Sequence, residues 1–104
     1  MTTLLGILKA GRALITDPQA WIQGHEAKSI CGVVVCPKHP LAVCFCSVGA
    51  LIRVSQLHEY AAAKAALREG CVAKNVETYN DSNLHTEVLA MWDRAISKLE
   101  GVAA

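Results

Sequence analysis

ICGVVVCPKHPLAVCFC, residues 30–46, is the part of the chain that reads as β-structure in a sequence otherwise patterned for helix. Two short runs rich in β-branched and small apolar residues, Cys31 to Cys36 and Leu41 to Cys46, flank PKHP, whose prolines mark a turn. The reading is an antiparallel hairpin. A symmetric turn sets Cys36 opposite Leu41, Val33 opposite Cys44 and Cys31 opposite Cys46. Because side chains alternate across a strand, Cys31, Val33 and Val35 then share a face with Ala42, Cys44 and Cys46, and Cys36 points the other way.

This parity bears on the sulfur, since four of the five cysteines lie in the stretch. Zinc needs ligands converging on one point, usually from CxxC knuckles, whereas the spacing here is CxxxxC followed by CxC with Cys36 on the wrong face. No metal and no cofactor is expected. Cys31 and Cys46, directly opposed, could bridge if oxidised. An odd cysteine count argues against a complete disulfide framework, and reduced cysteines behave as small buried hydrophobes.

Outward from the hairpin the chain turns helical. Leu4, Leu5, Ile7, Leu8, Gly11, Leu14 and Ile15 recur at helical spacing, with Lys9 and Arg12 toward water and Gly11 allowing close approach. Asp17 and Pro18 then read as an N-cap and first position of a short turn that runs from Ala20 to Gln23, ends at Gly24 and carries Trp21 and Ile22 to the core. Cys46 to Gln56 predicts a second helix, and HEYAAAKAALREG a peripheral Ala-rich one ending at Gly70. Asn80 to Asn83 reads as a loop. Beyond it, His85, Val88, Leu89, Trp92, Ile96 and Leu99 mark the core face of a last helix, capped by Ser82 or Thr86 and ending at Gly101. The expectation is one α+β, mostly α domain over residues 1–104, with about four helices packed on a short hairpin at residues 30–46.

Composition bounds the function. The chain is 53% hydrophobic and only 5% aromatic, so the core is built of small and medium side chains. Ten basic against nine acidic residues, scattered, give a net charge of +1, which excludes the clustered basic footprint of phosphate-driven nucleic-acid binding. The apolar run Leu4 to Leu8 is too short for a signal-peptide core, and no run is long enough to span a membrane. A cytoplasmic setting with reduced thiols is expected.

One catalytic alternative stands. Cys46 falls where strand gives way to helix, and a helix N-terminus lowers a thiol pKa. His85 would be its base and Asp81 or Asp93 the orienting carboxylate. Each has a plainer reading, His85 covering the core at a helix start and Asp93 an exposed helix charge. Asn80 and Asp81 form a candidate polar binding pair, although a turn explains both. His39 reads as a turn residue, His25 and His58 as helix-boundary residues, and Trp21 and Trp92 as core anchors.

Three segments, ALITDPQAWIQG, AVCFCSVGALIRV and YNDSNLHTEVLAMWDRAI, in this order and separation, resemble DUF6197, a family of small bacterial and phage proteins of unknown function. Trp21 and Gly24 match its first motif. Cys44, Cys46, Gly49, Ala50 and Leu51 match the second, with Phe45 in place of the usual Trp, and Asn80, Asp81, Thr86, Glu87, Val88 and Leu89 the third. SICGVVVC departs from the family by being more apolar. The resemblance brings no activity with it.

Two functions follow as expectations. The first is a non-enzymatic protein-binding or regulatory module of bacterial or phage origin, docking on a protein partner through the solvent face of Val33, Val34 and Val35. The same strand could pair edge to edge in a homodimer, and a phage anti-defence inhibitor, of the kind that blocks CRISPR, is an analogy of class. The second is a small thiol enzyme centred on Cys46.

Overall fold

A computed structural model describes residues 3–73 and 75–101. It contains five helices, α1 (Leu4–Leu14), α2 (Ser47–Val54), α3 (Leu57–Arg68), α4 (Val76–Ser82) and α5 (His85–Leu99), and two strands, β1 (Ala27–Ser29) and β2 (Ala42–Phe45). The class is α+β, mostly α, with one helix more than the periodicity predicts.

α1 starts where Thr3 Oγ1 accepts the Gly6 N–H at 3.0 Å, and it buries Ile7, Leu8 and Gly11. Gly11 lets α5 approach as expected: a Cβ there would lie 2.7 Å from Cη2 of Trp92, the largest fully buried side chain. Arg12 ties the same two helices from outside, donating from Nε at 2.9 Å and Nη2 at 3.2 Å to the two carboxylate oxygens of Asp93. Asp17 and Pro18 then open a single 3-10 turn, Pro18–Ala20, with Asp17 Oδ1 accepting the Gln19 N–H at 2.9 Å. The cap and first position of this turn are as expected, and it ends at Ala20 rather than running on to Gln23. Trp21 and Ile22 leave it extended and run beside Phe45 of β2, the Ile22 N–H donating to the Phe45 carbonyl at 3.1 Å.

The two-stranded antiparallel sheet is present, but its first strand is not the expected one. β1 is Ala27–Ser29, with Ala27 opposite Phe45, Lys28 opposite Cys44 and Ser29 opposite Ala42. Val43 is the extra residue that the register skips, a bulge that turns it outward. The run expected as strand one, Cys31 to Cys36, begins instead with a turn at Gly32, where φ is +80°, a conformation that favours glycine. Past that turn the chain returns along the other side of β1 and sets Val34 opposite Lys28. Cys44 therefore faces Lys28 rather than Val33, and Cys31, exposed, is not paired with buried Cys46. All five cysteines are free. Local propensity favoured the valines. The strand that wins is the one whose Ala27 buries its side chain completely beside Phe45.

α3 is anchored at both ends. Glu59 Oε1 accepts the Gln56 N–H at 2.8 Å, while at the far end Arg94 and Lys98 of α5 donate to the carbonyls of Gly70 and Glu69 at 2.9 and 2.7 Å. Cations thereby cover carbonyls that a helix C-terminus leaves open. Gly70 is not in a left-handed conformation; it is small because the backbone of α5 at Met91 and Ala95 presses on it. α4, of which Asn80 to Ser82 were expected as loop, forms because Asn75 caps it, Oδ1 accepting the Thr78 N–H at 2.7 Å, and because Val76, Tyr79 and Asn80 are buried. α5 is preceded by Leu84, which supplies no side-chain cap, so neither Ser82 nor Thr86 serves as expected. Its buried face is Val88, Met91, Trp92 and Ala95.

Candidate functional site

β2 runs directly into α2, and the junction is where most polar interactions of the interior converge. Cys46 is the N-cap of α2, its Sγ accepting the Gly49 N–H at 3.3 Å. The next residue, Ser47, is fully buried and donates both its N–H, at 3.0 Å, and its hydroxyl, at 2.9 Å, to Asn80 Oδ1. Trp21 Nε1 donates to the same oxygen at 2.8 Å, and Trp92 Nε1 to the Ser47 hydroxyl at 3.1 Å. The Asn80 amide nitrogen donates to the Ile22 carbonyl and to Asp81 Oδ1, each at 3.1 Å. Asp81 Oδ1 also accepts the N–H of Gly24, whose φ of +84° turns it toward the acid. Asn80 is 1% exposed and its side-chain oxygen and nitrogen are engaged within the protein, although with Asp81, the other half of the expected binding pair, it borders the adjacent cleft. It cross-links α4, α2 and the Trp21 segment, and both tryptophans anchor the core as expected.

In front of this network lies an open cleft of about 320 Å³, lined among others by Glu26, Cys46, Tyr60, Lys64, Glu77 and Asp81. Lys64 Nζ lies 2.8 Å from Glu77 Oε2; the hydrogen bond raises the lysine pKa and lowers that of the carboxyl. Cys46, 8% exposed, has its thiol pKa pushed up chiefly by burial, with Asp81 and Glu26 adding to the rise and the N–H groups of Gly49 and Val48 opposing it. Desolvation outweighs the helix terminus that was expected to activate the thiol. A neutral buried thiol is a weak nucleophile.

The residues proposed for a thiol enzyme are only partly brought together. Cys46 and Asp81 share the cleft, but His85 is absent from its lining. The His85 ring packs against Trp21 with centroids 5.3 Å apart, and its Nε2 lies 2.6 Å from the Ile15 carbonyl. Since a carbonyl can only accept, this contact places the proton on Nε2 and commits the ring to the end of α1. Asp93 is held by Arg12. The histidine that does line the cleft is His25, read from sequence only as a helix-boundary residue.

The second feature is the hairpin surface. Ile30, Val33, Val34, Leu41 and Val43 are 49% to 88% exposed. Val35 departs from the expected outward trio, packing partly buried against the core. The split follows the edge pairing: the Ser29 N–H donates to the Val33 carbonyl at 2.9 Å and the Val35 N–H to the Ala27 carbonyl at 3.1 Å, leaving Val34 between them. Lys28 lies opposite Val34, and Lys38 and Arg53 stand at the PKHP turn, in a stretch with no Asp or Glu between Glu26 and Glu59. That acid-free interval was visible in the sequence and is lost in an overall charge count. Lys38 Nζ donates to the Ser55 carbonyl at 2.8 Å, and Arg53 Nη1 to the carbonyls of Pro37 and His39 at 3.1 and 2.9 Å.

Among the described residues, no helix is long and apolar enough to cross a membrane. Neither the curated proteins nor the solved structures gave a match to the chain. The family model for DUF6197, a family of unknown function, matches residues 1–98, spanning all three motifs and every element of the fold up to the last turn of α5, and the chain belongs to that family.

Proposed function

We propose that the protein is a non-enzymatic binding or regulatory module that docks on a protein partner through its hairpin surface. The observation that supports this reading is the exposure of Ile30, Val33, Val34, Leu41 and Val43 on one short segment. Exposed apolar residues scattered singly are ordinary, whereas several on one small structural unit mark an interaction surface. A domain of this size does not expose them for its own stability. The five free thiols suit a cytoplasmic setting, and inhibition of a host defence by a phage protein is one form such docking could take. The thiol-enzyme alternative draws on Cys46 and Asp81 sharing a cleft, and is weakened by the raised thiol pKa and the placement of His85.

The test is site-specific photocrosslinking in the cells that make the protein, with a photoreactive residue at Val33 in one variant and at Glu87, exposed on α5, in another. Discrete protein adducts from position 33 and none from 87 support docking by the hairpin. Adducts equal in number and yield from both positions, or none from 33, refute it.

A further inference from the structure

We propose that the occupant of the hairpin surface is an extended, acidic segment of a partner protein, added as a further strand along residues 33–35. This rests on the docking reading above and specifies its partner.

The backbone supplies the first argument. β1 is paired on both sides, by β2 and by residues 33–35, and the bonds to Ser29 and Ala27 turn the main chain of Val33 and Val35 inward. In an antiparallel ladder successive residues face opposite sides. Val34 therefore presents its N–H and C=O outward, and neither is hydrogen-bonded among the described residues. An added strand would exchange both bonds with Val34, the mode by which peptides extend exposed sheet edges.

Charge supplies the second. The ion pairs among the described residues, Lys9–Glu100, Arg12–Asp93 and Lys64–Glu77, all lie outside the hairpin. Lys38 and Arg53 are held by carbonyls, which orient a cation without neutralising it, and the Lys28 ammonium has no partner among the described residues. The edge is thus apolar with one uncompensated cation, Lys28, on the strand beside it. A second copy fits poorly, because the same segment of a two-fold mate brings no carboxylate, residues 27–58 containing no Asp or Glu, and so leaves the Lys28 charge unanswered. A partner strand bearing Glu or Asp among apolar residues answers both the open main chain and the charge.

The experiment is an NMR titration of the folded, labelled protein with two short blocked peptides, one alternating Glu and Val and the other Lys and Val. The acidic peptide is expected to shift the amide signals of Lys28 and Val33 to Val35 and, at nine-tenths saturation, to slow hydrogen exchange of the Val34 amide about tenfold. The basic peptide is expected to do neither. Lys28→Glu should weaken the acidic peptide about two- to fivefold, and Lys38→Glu, at the turn, should weaken it less. Equal response to both peptides overturns the proposal. So does Val34 protection that grows with protein concentration alone, which assigns the edge to a second copy. Shifts produced by anionic phosphatidylglycerol vesicles or a single-stranded oligonucleotide, with none from the acidic peptide, overturn it as well. If position 33 still crosslinks to a protein while the peptides are not distinguished, docking stands and the acidic strand falls. If position 33 crosslinks to nothing, the docking reading itself has failed.

Discussion

Asn80 Oδ1 accepts both the backbone N–H and the hydroxyl of Ser47, residues on different helices and neighbours only in the folded chain. Through that oxygen and that hydroxyl the two tryptophans, Trp21 and Trp92, are joined into one buried network. Among the described residues no buried side-chain nitrogen or oxygen lacks a partner. A fully satisfied network of this kind specifies one arrangement of its elements, and a broken one is costly in low dielectric.

Asn80→Ala is therefore expected to be among the most damaging single substitutions. It strands the Trp21 indole N–H and the Ser47 donors and leaves the Ile22 carbonyl without its amide. At about 1–3 kcal/mol for each buried group left unpaired, the loss is about 3 kcal/mol or more. Urea unfolding followed by tryptophan fluorescence measures it. A loss below about 1 kcal/mol would mean that the network is not a principal tie between α4 and α2.

Gly49→Ala, within α2, should destabilise against the general rule that Ala improves a helix by about 1 kcal/mol, and Gly70→Ala, just past α3, should destabilise as well. A Cβ on Gly49 would overlap the carbonyl oxygen of Glu26, and one on Gly70 that of Met91. Backbone atoms cannot rotate aside as a side chain does, so the expected cost is about 1–3 kcal/mol each. Melting temperatures decide the sign, and a rise in either variant refutes the close approach at that position.

These residues show what the sequence made legible. α1, α2 and α5 follow from helical spacing of apolar residues that pack on one another, and Asp17 with Pro18 announces its turn through a local bond. Asn80 reads as a turn former because its chemistry is expressed through Ser47 and Trp21, 33 and 59 positions away. α4 was missed for the same reason: VETYNDS has little intrinsic helical preference, and burial of Val76 and Tyr79 overrides it. In the hairpin, three valines outweigh AKS on any propensity scale. The pairing is decided instead by Cys46, whose N–H donates to the Glu26 carbonyl at 3.2 Å and so fixes β1 at Ala27–Ser29, ahead of the valines.

Cys46 should be the slow thiol of the molecule. Cys31 and Cys36 are exposed, so iodoacetamide is expected to modify them first in native protein. Cys46 should require a higher pH, since burial raises its pKa. The stability consequence has a definite sign. With the folded pKa above the unfolded one, the unfolded chain gives up this proton first, so Cys46 contributes full stability below the unfolded thiol pKa and loses it as pH rises through the folded one. Cys46→Ser should flatten that part of the stability profile while retaining an N-cap acceptor for Gly49. Rapid, selective labelling of Cys46 near neutral pH would instead restore the thiol-enzyme reading.

Val33→Thr and Val34→Thr separate binding from folding. Both side chains are more than half exposed, so replacing a methyl by a hydroxyl of similar shape should change stability by no more than about 0.5 kcal/mol. Ala27→Thr, on the strand they flank, introduces bulk and a hydroxyl where no surface is exposed, and should cost about 1–3 kcal/mol. If the hairpin is the docking surface, the two valine variants retain the unfolding midpoint of the parent and lose partner adducts from a photoreactive residue at Val43, exposed on β2. Should they lose stability in parallel with Ala27→Thr, the exposed valines belong to the core economy of the sheet rather than to an interface. Unfolding midpoints and crosslinking yields for the three variants, measured on the same preparations, distinguish the two roles.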